Sequence, residues 1–106
     1  MVRTVGLDAG LSDEKADALV IAVNEITTNA VVHGRPPAGL RVWTSADDVL
    51  CEVRDAGHGI DDEFAGQVLP VPDSVGGRGL WLARVLCDDL DIGRDGESAV
   101  SLRMAA

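Results

Sequence analysis

The chain has 106 residues, a formal net charge of −9 and 46% hydrophobic residues. A chain of this length forms one domain, residues 1–106, with a modest core. The acidic balance disfavours direct binding to nucleic acid or to an anionic membrane, because both require positive charge to neutralise phosphate. The sequence contains no apolar run of about 18 residues that would cross a membrane. Its N-terminus lacks the pattern of a secretory signal, so it predicts a cytoplasmic protein.

The first predicted elements are a helix and a β-hairpin. Ser12 is suited to cap a helix over residues 13–33, whose first turn is acidic, and Gly34 is suited to end it. Residues 40–44 and 49–55 alternate between apolar and polar positions on either side of the turn SADD. This alternation predicts two antiparallel strands joined by a short polar loop.

The second half of the chain is predicted to contain a long loop, a helix and a final strand. Residues 57–79 include six Gly and two Pro, which are too many for regular structure. Residues 80–90 have helical apolar spacing, and residues 98–104 alternate again after the turn signal RDGE. The predicted order is therefore helix, strand, strand, loop, helix, strand.

Two groups of polar residues are candidates for a binding site. On a helical wheel Glu25 and Asn29 lie about 40° apart beside the apolar stripe, where a pair of solvated surface residues is the ordinary interpretation. Asp55 stands at a predicted strand end and is followed by Gly57 and Gly59, which let backbone approach a ligand closely. A tight turn capped by the Asp55 side chain explains the same residues, so both interpretations stay open.

A third motif, GGRGLWLARVL, places Gly76, Gly77 and Gly79 directly before a predicted helix. Free backbone N–H groups at such a helix start favour an anion such as phosphate. The sequence has no GxxxxGK[ST] motif. The glycines at 57 and 59 lack the third glycine and the following helix of a dinucleotide-binding fingerprint. Neither familiar phosphate motif therefore describes this chain.

In this order, NEITTNAVVHG, VRDAGHGID and GGRGLWLARVL resemble the three nucleotide-binding boxes of the GHKL ATPase superfamily. That superfamily includes gyrase, heat-shock chaperone, histidine kinase and mismatch-repair ATPase domains. Within it the chain is most similar, over about residues 12–104, to the small anti-sigma-factor serine/threonine kinases, whose first box reads E-x-x-x-N-A-x-x-H. The resemblance implies a two-layer α+β sandwich with a mixed, mainly antiparallel sheet, helices on one face, and ATP between the helix layer and a lid.

The resemblance also implies a role for each matching residue. Asn29 matches the Mg²⁺ ligand, an amide oxygen suited to a hard cation. Glu25 matches the general base that takes a proton from an attacking hydroxyl. Asp55 matches the residue that accepts a hydrogen bond from the adenine amino group. Further nucleotide contacts are implied at His33, Gly57, Gly59, Ile60, Gly77, Arg78, Gly79, Leu80 and Ser98.

The implied function is a protein kinase that uses ATP and Mg²⁺ to phosphorylate a small anti-anti-sigma (antagonist) protein and that sequesters a sigma factor. One alternative is a non-catalytic module that binds ATP or ADP and captures partner proteins. Another is the detached ATPase domain of a two-component histidine kinase. Glu25 favours the kinase, whereas the absence of Lys and Arg from residues 66–75 favours the non-catalytic module. No phosphoacceptor helix precedes the first box, which disfavours the histidine kinase.

The N-terminus is shorter than the pattern of this family. The family begins with a strand and a full helix before the first box, whereas this chain has about ten residues there. We expect the first strand and most of the first helix to be absent. An uncovered apolar face would then favour a homodimer or lower the stability of the domain.

The remaining candidates for chemistry are two cysteines and two histidines. Cys51 and Cys87 lie in apolar surroundings without CxxC spacing, so they are predicted to be buried free thiols. His33 and His58 have no third ligand at a useful spacing. The sequence therefore predicts no metal site built on the histidines.

Overall fold

A computed structural model describes residues 1–57, 77–93 and 98–106, which form three helices and four strands. The helices are α1 (Val2–Asp8), α2 (Asp13–His33) and α3 (Gly77–Leu86). The strands are β1 (Gly39–Ser45), β2 (Asp48–Arg54), β3 (Asp89–Ile92) and β4 (Ala99–Ala105). Within these residues, no helix combines the length and the apolar character needed to span a lipid bilayer.

Helix α2 begins and ends where the sequence predicts. The Ser12 hydroxyl accepts a hydrogen bond of 3.1 Å from the Lys15 backbone N–H, which is the usual contact of an N-cap residue. At the other end the Gly34 N–H donates to the Ala30 carbonyl oxygen at 3.0 Å. The predicted helix over residues 13–33 is confirmed.

The four strands form one antiparallel sheet in the order β1-β2-β4-β3. Strands β1 and β2 make the predicted hairpin, with Ser45 opposite Asp48 and a turn at Ala46 and Asp47. Ala46 has a φ of 54°, the left-handed conformation that tight hairpin turns use. The predicted final strand is confirmed as β4, which pairs with both β2 and β3.

The core lies between the sheet and the helix layer. Alternate residues of β2 point inward and are buried, as Val49 and Cys51 show, while their neighbours lie on the outer face. Helix α2 buries Leu19 and Ile26 against them. The predicted two-layer α+β sandwich with helices on one face of the sheet is confirmed.

The predicted helix over residues 80–90 is wrong at both of its ends. Helix α3 covers Gly77–Leu86, so residues 77–79, which were predicted to belong to the long loop, are helical. The prediction of a loop for residues 58–76 lies outside the described residues. The last turn of α3 closes with a hydrogen bond of 3.1 Å from the Cys87 N–H to the Ala83 carbonyl oxygen.

Strand β3 is an element that the sequence did not predict. Its residues DLDI alternate with period two, and Leu90 and Ile92 are buried. Pairing with β4 decides the conformation here, because the Asp88 N–H donates to the Arg103 carbonyl oxygen at 3.0 Å. The Arg103 guanidinium also donates to Asp89 Oδ2 at 2.6 and 2.8 Å. These contacts involve a distant strand, and helical periodicity over residues 80–90 does not reveal them.

Helix α1 is a second unpredicted element, formed by the short N-terminal segment. Gly10, with a φ of 101°, makes the reversal between α1 and α2 in a conformation that glycine tolerates. Arg3 holds α1 to α2 through hydrogen bonds to Asp17 at 2.9 Å and Asp13 at 3.3 Å. Leu11, in the connection, is buried in the core. The segment thus provides one short helix; the absence of a first strand stays a prediction.

Candidate functional site

Glu25 and Asn29 lie one turn apart on the same side of α2. Both are half-buried, whereas Ala22 and Ile26 on the adjoining side of the helix are fully buried in the core. The two polar side chains therefore stand at the border between core and surface. Neither is the fully solvated surface residue of the ordinary interpretation.

The first turn of α3 lies against Glu25. A Cβ atom at Gly79 would lie 2.9 Å from Glu25 Oε2 and 3.9 Å from the Glu25 backbone oxygen. The next residue, Leu80, is 3% exposed and anchors the start of α3 in the core. The structure thus brings Glu25 of the first motif against Gly79 of the third.

Asp55 directly follows β2, and two backbone amides fix one of its carboxylate oxygens. Oδ1 accepts hydrogen bonds from the Gly57 N–H at 2.7 Å and from the Arg35 N–H at 3.1 Å. The bond to Gly57 confirms the turn in which the Asp55 side chain acts as a cap. The bond to Arg35 connects the same carboxylate to the residue that follows the C-terminal cap of α2.

Ser98 also contacts Asp55 and helps to keep it ionised. The Ser98 carbonyl oxygen accepts a hydrogen bond of 3.0 Å from the Asp55 N–H, and its hydroxyl donates to the Asp55 carboxylate. Burial raises the pKa of Asp55, but the hydrogen bonds from Ser98, Gly57 and Arg35 outweigh burial and lower the pKa below its ordinary value. Asp55 is therefore a charged hydrogen-bond acceptor at neutral pH.

A cleft of about 380 Å³ opens beside Asp55. It lies between the segment that leads into β1 and the end of β2, and it is lined by Pro37, Ala38, Gly39, Arg54, Asp55 and Ala56. The sequence predicted neither this cleft nor a contact of Asp55 with the end of α2. For this contact the sequence offered one signal, the glycine after His33. That glycine predicted the end of the helix, but it did not indicate that Asp55 would lie there.

Several predicted site residues cannot be placed at the site. Gly59 and Ile60 lie outside the described residues, as does His58, at which no metal site was predicted. His33 and Arg78 are described only as members of α2 and α3, and the predictions about their side chains lie outside the described part of the chain. Gly77 is the first residue of α3.

The two cysteines are free thiols, as the sequence predicts. Cys51 is buried and Cys87 is half-buried, and burial raises their pKa values to about 12 and about 11. The Cys87 thiol donates to the Asp89 carbonyl oxygen at 3.2 Å. Thiolates are the nucleophilic form of cysteine, so neither residue has the properties of a reactive thiol at neutral pH. Among the described residues, no group of three or more His, Cys, Asp and Glu side chains is arranged to hold a metal ion.

The family model for the histidine kinase-like ATPase domain matches residues 1–105. The match extends over nearly the whole chain, so it includes the candidate site residues on α2, at the end of β2 and at the start of α3. Among curated proteins, none matches this sequence.

Proposed function

Because the chain belongs to the histidine kinase-like ATPase domain family and is an ATP-binding module of the GHKL type, we propose that it is an anti-sigma-factor serine/threonine kinase. Its substrates are ATP and a small antagonist protein, and its second partner is a sigma factor. The observation that carries the proposal is the Glu25 carboxylate, which lies against Gly79 at the glycine-rich start of α3. This position supports a base next to a segment whose backbone amides suit phosphate.

At the adenine end of the proposed site, Asp55 accepts the hydrogen bond from the amino group of the base. Its lowered pKa supports this role, because an ionised carboxylate only accepts hydrogen bonds. Ser98 lies beside it and helps to keep the carboxylate charged. An amino group at the corresponding position distinguishes adenine from guanine, which has a carbonyl there.

At the phosphate end, the proposal assigns Asn29 to Mg²⁺ and Glu25 to the transfer step. Asn29 supplies one hard oxygen ligand at the border of the helix layer, which fits a cation that also takes phosphate oxygens and water. When bound, Mg²⁺ neutralises charge on the phosphates, which the net charge of −9 otherwise repels. Glu25 accepts the proton of the attacking hydroxyl as that oxygen bonds to the γ-phosphorus and ADP leaves.

A second candidate function is a module that binds nucleotide and partner proteins without phosphoryl transfer. The sequence from residue 66 to 75 carries no Lys or Arg to stabilise a phosphoryl group in transfer. The exposed side of α2 supports partner binding, since Val31 and Val32 are 67% and 63% exposed. The two candidates differ in one activity: the kinase transfers a phosphoryl group to a protein, whereas the binding module does not.

The proposal is tested by incubating the full chain with labelled ATP, Mg²⁺ and small candidate antagonist proteins, and by measuring nucleotide affinity with calorimetry. We expect Glu25→Ala to bind ATP as the parent does but to transfer no label. We expect Asp55→Asn to weaken ATP binding by about 1.5–3 kcal/mol, roughly 10- to 150-fold, the value of a hydrogen bond to a charged group. The Asn oxygen can still accept the amides that Oδ1 accepts, so this change chiefly alters the interaction with the base.

Two exposed residues provide matched controls. Asp47→Asn changes an exposed carboxylate in the hairpin turn, and Glu14→Ala changes one in the first turn of α2. Both variants should bind and transfer as the parent does. A folded parent that binds no adenine nucleotide contradicts the whole proposal. Binding without transfer to any candidate protein favours the second function.

A further inference from the structure

Glycine at position 34 is not required by the backbone conformation. Gly34 has φ −92° and ψ −162°, an extended conformation that any residue adopts, whereas Gly10 has a φ of 101°. Asn, Ser or Ala could therefore end α2 equally well as far as torsion angles are concerned. The reason for glycine must lie in what surrounds its Cα atom.

Gly34 lies directly against the carboxylate of Asp55. A Cβ atom at position 34 would overlap Cγ and Oδ2 of Asp55 and would lie 2.5 Å from the Ala30 carbonyl oxygen. At the other oxygen of the carboxylate, a Cβ atom at Gly57 would lie 2.8 Å from Oδ1. Two glycines that are distant in sequence thus flank the same short side chain.

The Asp55 carboxylate cannot move aside without losing its hydrogen bonds. Its Oδ1 atom is fixed by the N–H groups of Arg35 and Gly57, and its own N–H donates to the carbonyl oxygen of Ser98, the residue before β4. An aspartate side chain has only two rotatable bonds, so a shift at Cγ displaces both oxygens. A methyl group at position 34 would therefore reorient the carboxylate rather than be accommodated by it.

We propose that Gly34 is a positioning residue for adenine nucleotide binding: its missing side chain leaves the space in which the Asp55 carboxylate is held in the orientation that meets the base. This inference rests on the proposed role of Asp55. Gly34 does not touch the nucleotide, and it acts only through the direction of the Asp55 oxygens. The contact joins the C-terminal end of α2 to the end of β2. It therefore fixes the position of Asp55, which binds the base, relative to the helix that carries Asn29 and Glu25.

A double-mutant cycle tests the proposal, using Gly34→Ala, Asp55→Ala and the double variant of the full chain, with ADP as the ligand and NMR titration as the measurement. We expect Gly34→Ala to weaken ADP binding at least tenfold when Asp55 is present. In the Asp55→Ala background the same change should alter affinity less than twofold, because the carboxylate is gone and the overlap with the Ala30 carbonyl oxygen does not act on the nucleotide. Glu14→Ala is the control, since this exposed residue lies in the first turn of α2, at the opposite end of the helix from Gly34, and it should bind ADP as the parent does.

Amide hydrogen exchange adds a measurement that needs no nucleotide. In Gly34→Ala the N–H groups of Arg35 and Gly57 should lose protection while the amides in the middle of α2 keep theirs, because the fold is retained and only the bonds to Oδ1 are lost. Unchanged protection of both amides would overturn the proposal, whether or not nucleotide binds. An equal loss of affinity in both backgrounds would also overturn it, because Gly34 would then act independently of Asp55.

The outcomes separate this inference from the proposed function. A parent that binds no ADP, or an Asp55→Ala variant that binds as well as the parent, contradicts the proposed function. Parent-like binding by Gly34→Ala, together with weak binding by Asp55→Ala, contradicts only the role of Gly34. If Gly34→Ala does not fold, the double variant decides: recovery of the fold supports the clash with Asp55, and failure shows that the contact with the Ala30 carbonyl dominates and overturns the proposal.

Discussion

At the scale of single residues, the two site carboxylates are held by different contacts. Asp55 is held by donors, two backbone amides and the Ser98 hydroxyl. Glu25 lies against Gly79, where a Cβ atom would be 2.9 Å from Oε2. The first arrangement fixes both orientation and charge, which suits recognition of a base.

The lowered pKa of Asp55 gives the stability of the protein a specific dependence on pH. Its ionised form stabilises the fold above the ordinary Asp pKa of about 3.9, and this stabilisation is lost as the pH falls through the folded-state pKa. We expect an NMR titration of the carboxyl carbons to place the Asp55 pKa below that ordinary value. Replacing the hydroxyl donor in Ser98→Ala should raise it, because the carboxylate loses a bond that favours its charged form.

A comparison of Asp55→Asn with the parent checks the link to stability. Asp55→Asn has no charge to lose, so it should lose less free energy of unfolding than the parent when the pH is lowered from about 5 to about 2. Equal acid sensitivity of parent and variant, or an Asp55 pKa at or above the ordinary value, would contradict the hydrogen-bond network described for this residue.

At the scale of elements, α2 has three sides with different surroundings. One side faces the core and buries Leu19 and Ile26. A second side, at the border between core and surface, carries the half-buried Glu25 and Asn29. Its outer side leaves several aliphatic side chains exposed, namely Val20, Ile21, Val31 and Val32. A helix that is apolar on most of its circumference has a weak amphipathic pattern, so its boundaries were predicted from Ser12 and Gly34 rather than from periodicity.

In the part of the chain that the structure describes, one buried polar atom of α2 lacks a hydrogen bond. Thr27 Oγ1 is fully buried and has no hydrogen-bond partner within the described parts of the chain. A buried hydroxyl without a partner costs about 1–3 kcal/mol of desolvation free energy. We therefore expect Thr27→Val, which keeps the branched shape and removes the hydroxyl, to raise the free energy of unfolding by about 1 kcal/mol in urea denaturation.

The neighbouring residue is a matched control for this prediction. Thr28 is exposed on the same helix, so Thr28→Val removes a hydroxyl that is already solvated and should change stability by less than about 0.5 kcal/mol. If Thr27→Val lowers the stability by more than this control, the hydroxyl has a partner that stabilises the fold.

At the scale of the whole molecule, the excess of acidic groups opposes compactness. The sequence has 18 Asp and Glu against 9 Lys and Arg. The molecule measures 34 × 28 × 20 Å, and at an ionic strength of about 0.01 M the screening length is also about 30 Å. Carboxylates therefore repel one another across the entire fold at low salt. The described ion pairs oppose this weakly, because Arg3 and Arg103 form theirs at the surface, where each pair contributes about 0–1 kcal/mol.

Added salt screens both the repulsion between carboxylates and the attraction within these ion pairs. We expect the reduced repulsion to have the larger effect on stability. Raising the ionic strength from about 0.01 M to about 0.5 M should stabilise the protein by about 1 kcal/mol, roughly 4–8 °C in Tm for a domain of this size. Calorimetric melting with sodium chloride measures the shift. Choline chloride at equal ionic strength is the control, and it should give the same shift if screening is the cause. A Tm that falls or stays constant with both salts would contradict the dominance of repulsion.

The predicted homodimer also belongs to this scale, and it stays a prediction. Helix α1 packs on α2 through Arg3 and places Leu11 in the core, so the N-terminal segment covers part of the helix layer. The aliphatic residues on the outer side of α2 remain exposed among the described residues.

The sequence by itself determined the elements whose signals are local. Ser12 and Gly34 fixed the ends of α2 because capping depends on residues within one turn. The alternation around SADD predicted the hairpin because adjacent strands need only a short turn. The three motifs, taken in order, indicated the family, because their order resembles that of its nucleotide-binding boxes, and the family is confirmed.

Only the tertiary structure decided the features that depend on distant residues. Strand β3 exists because β4 pairs with Asp89–Ile92, and the pattern of residues 80–90 alone favours a helix. The contact of Asp55 with Gly34 and Arg35 forms because the sheet brings the end of β2 to the end of α2. Glu25 meets Gly79 because α3 packs on α2. Such contacts depend on the positions of whole elements, and a local sequence pattern carries no information about distances between elements.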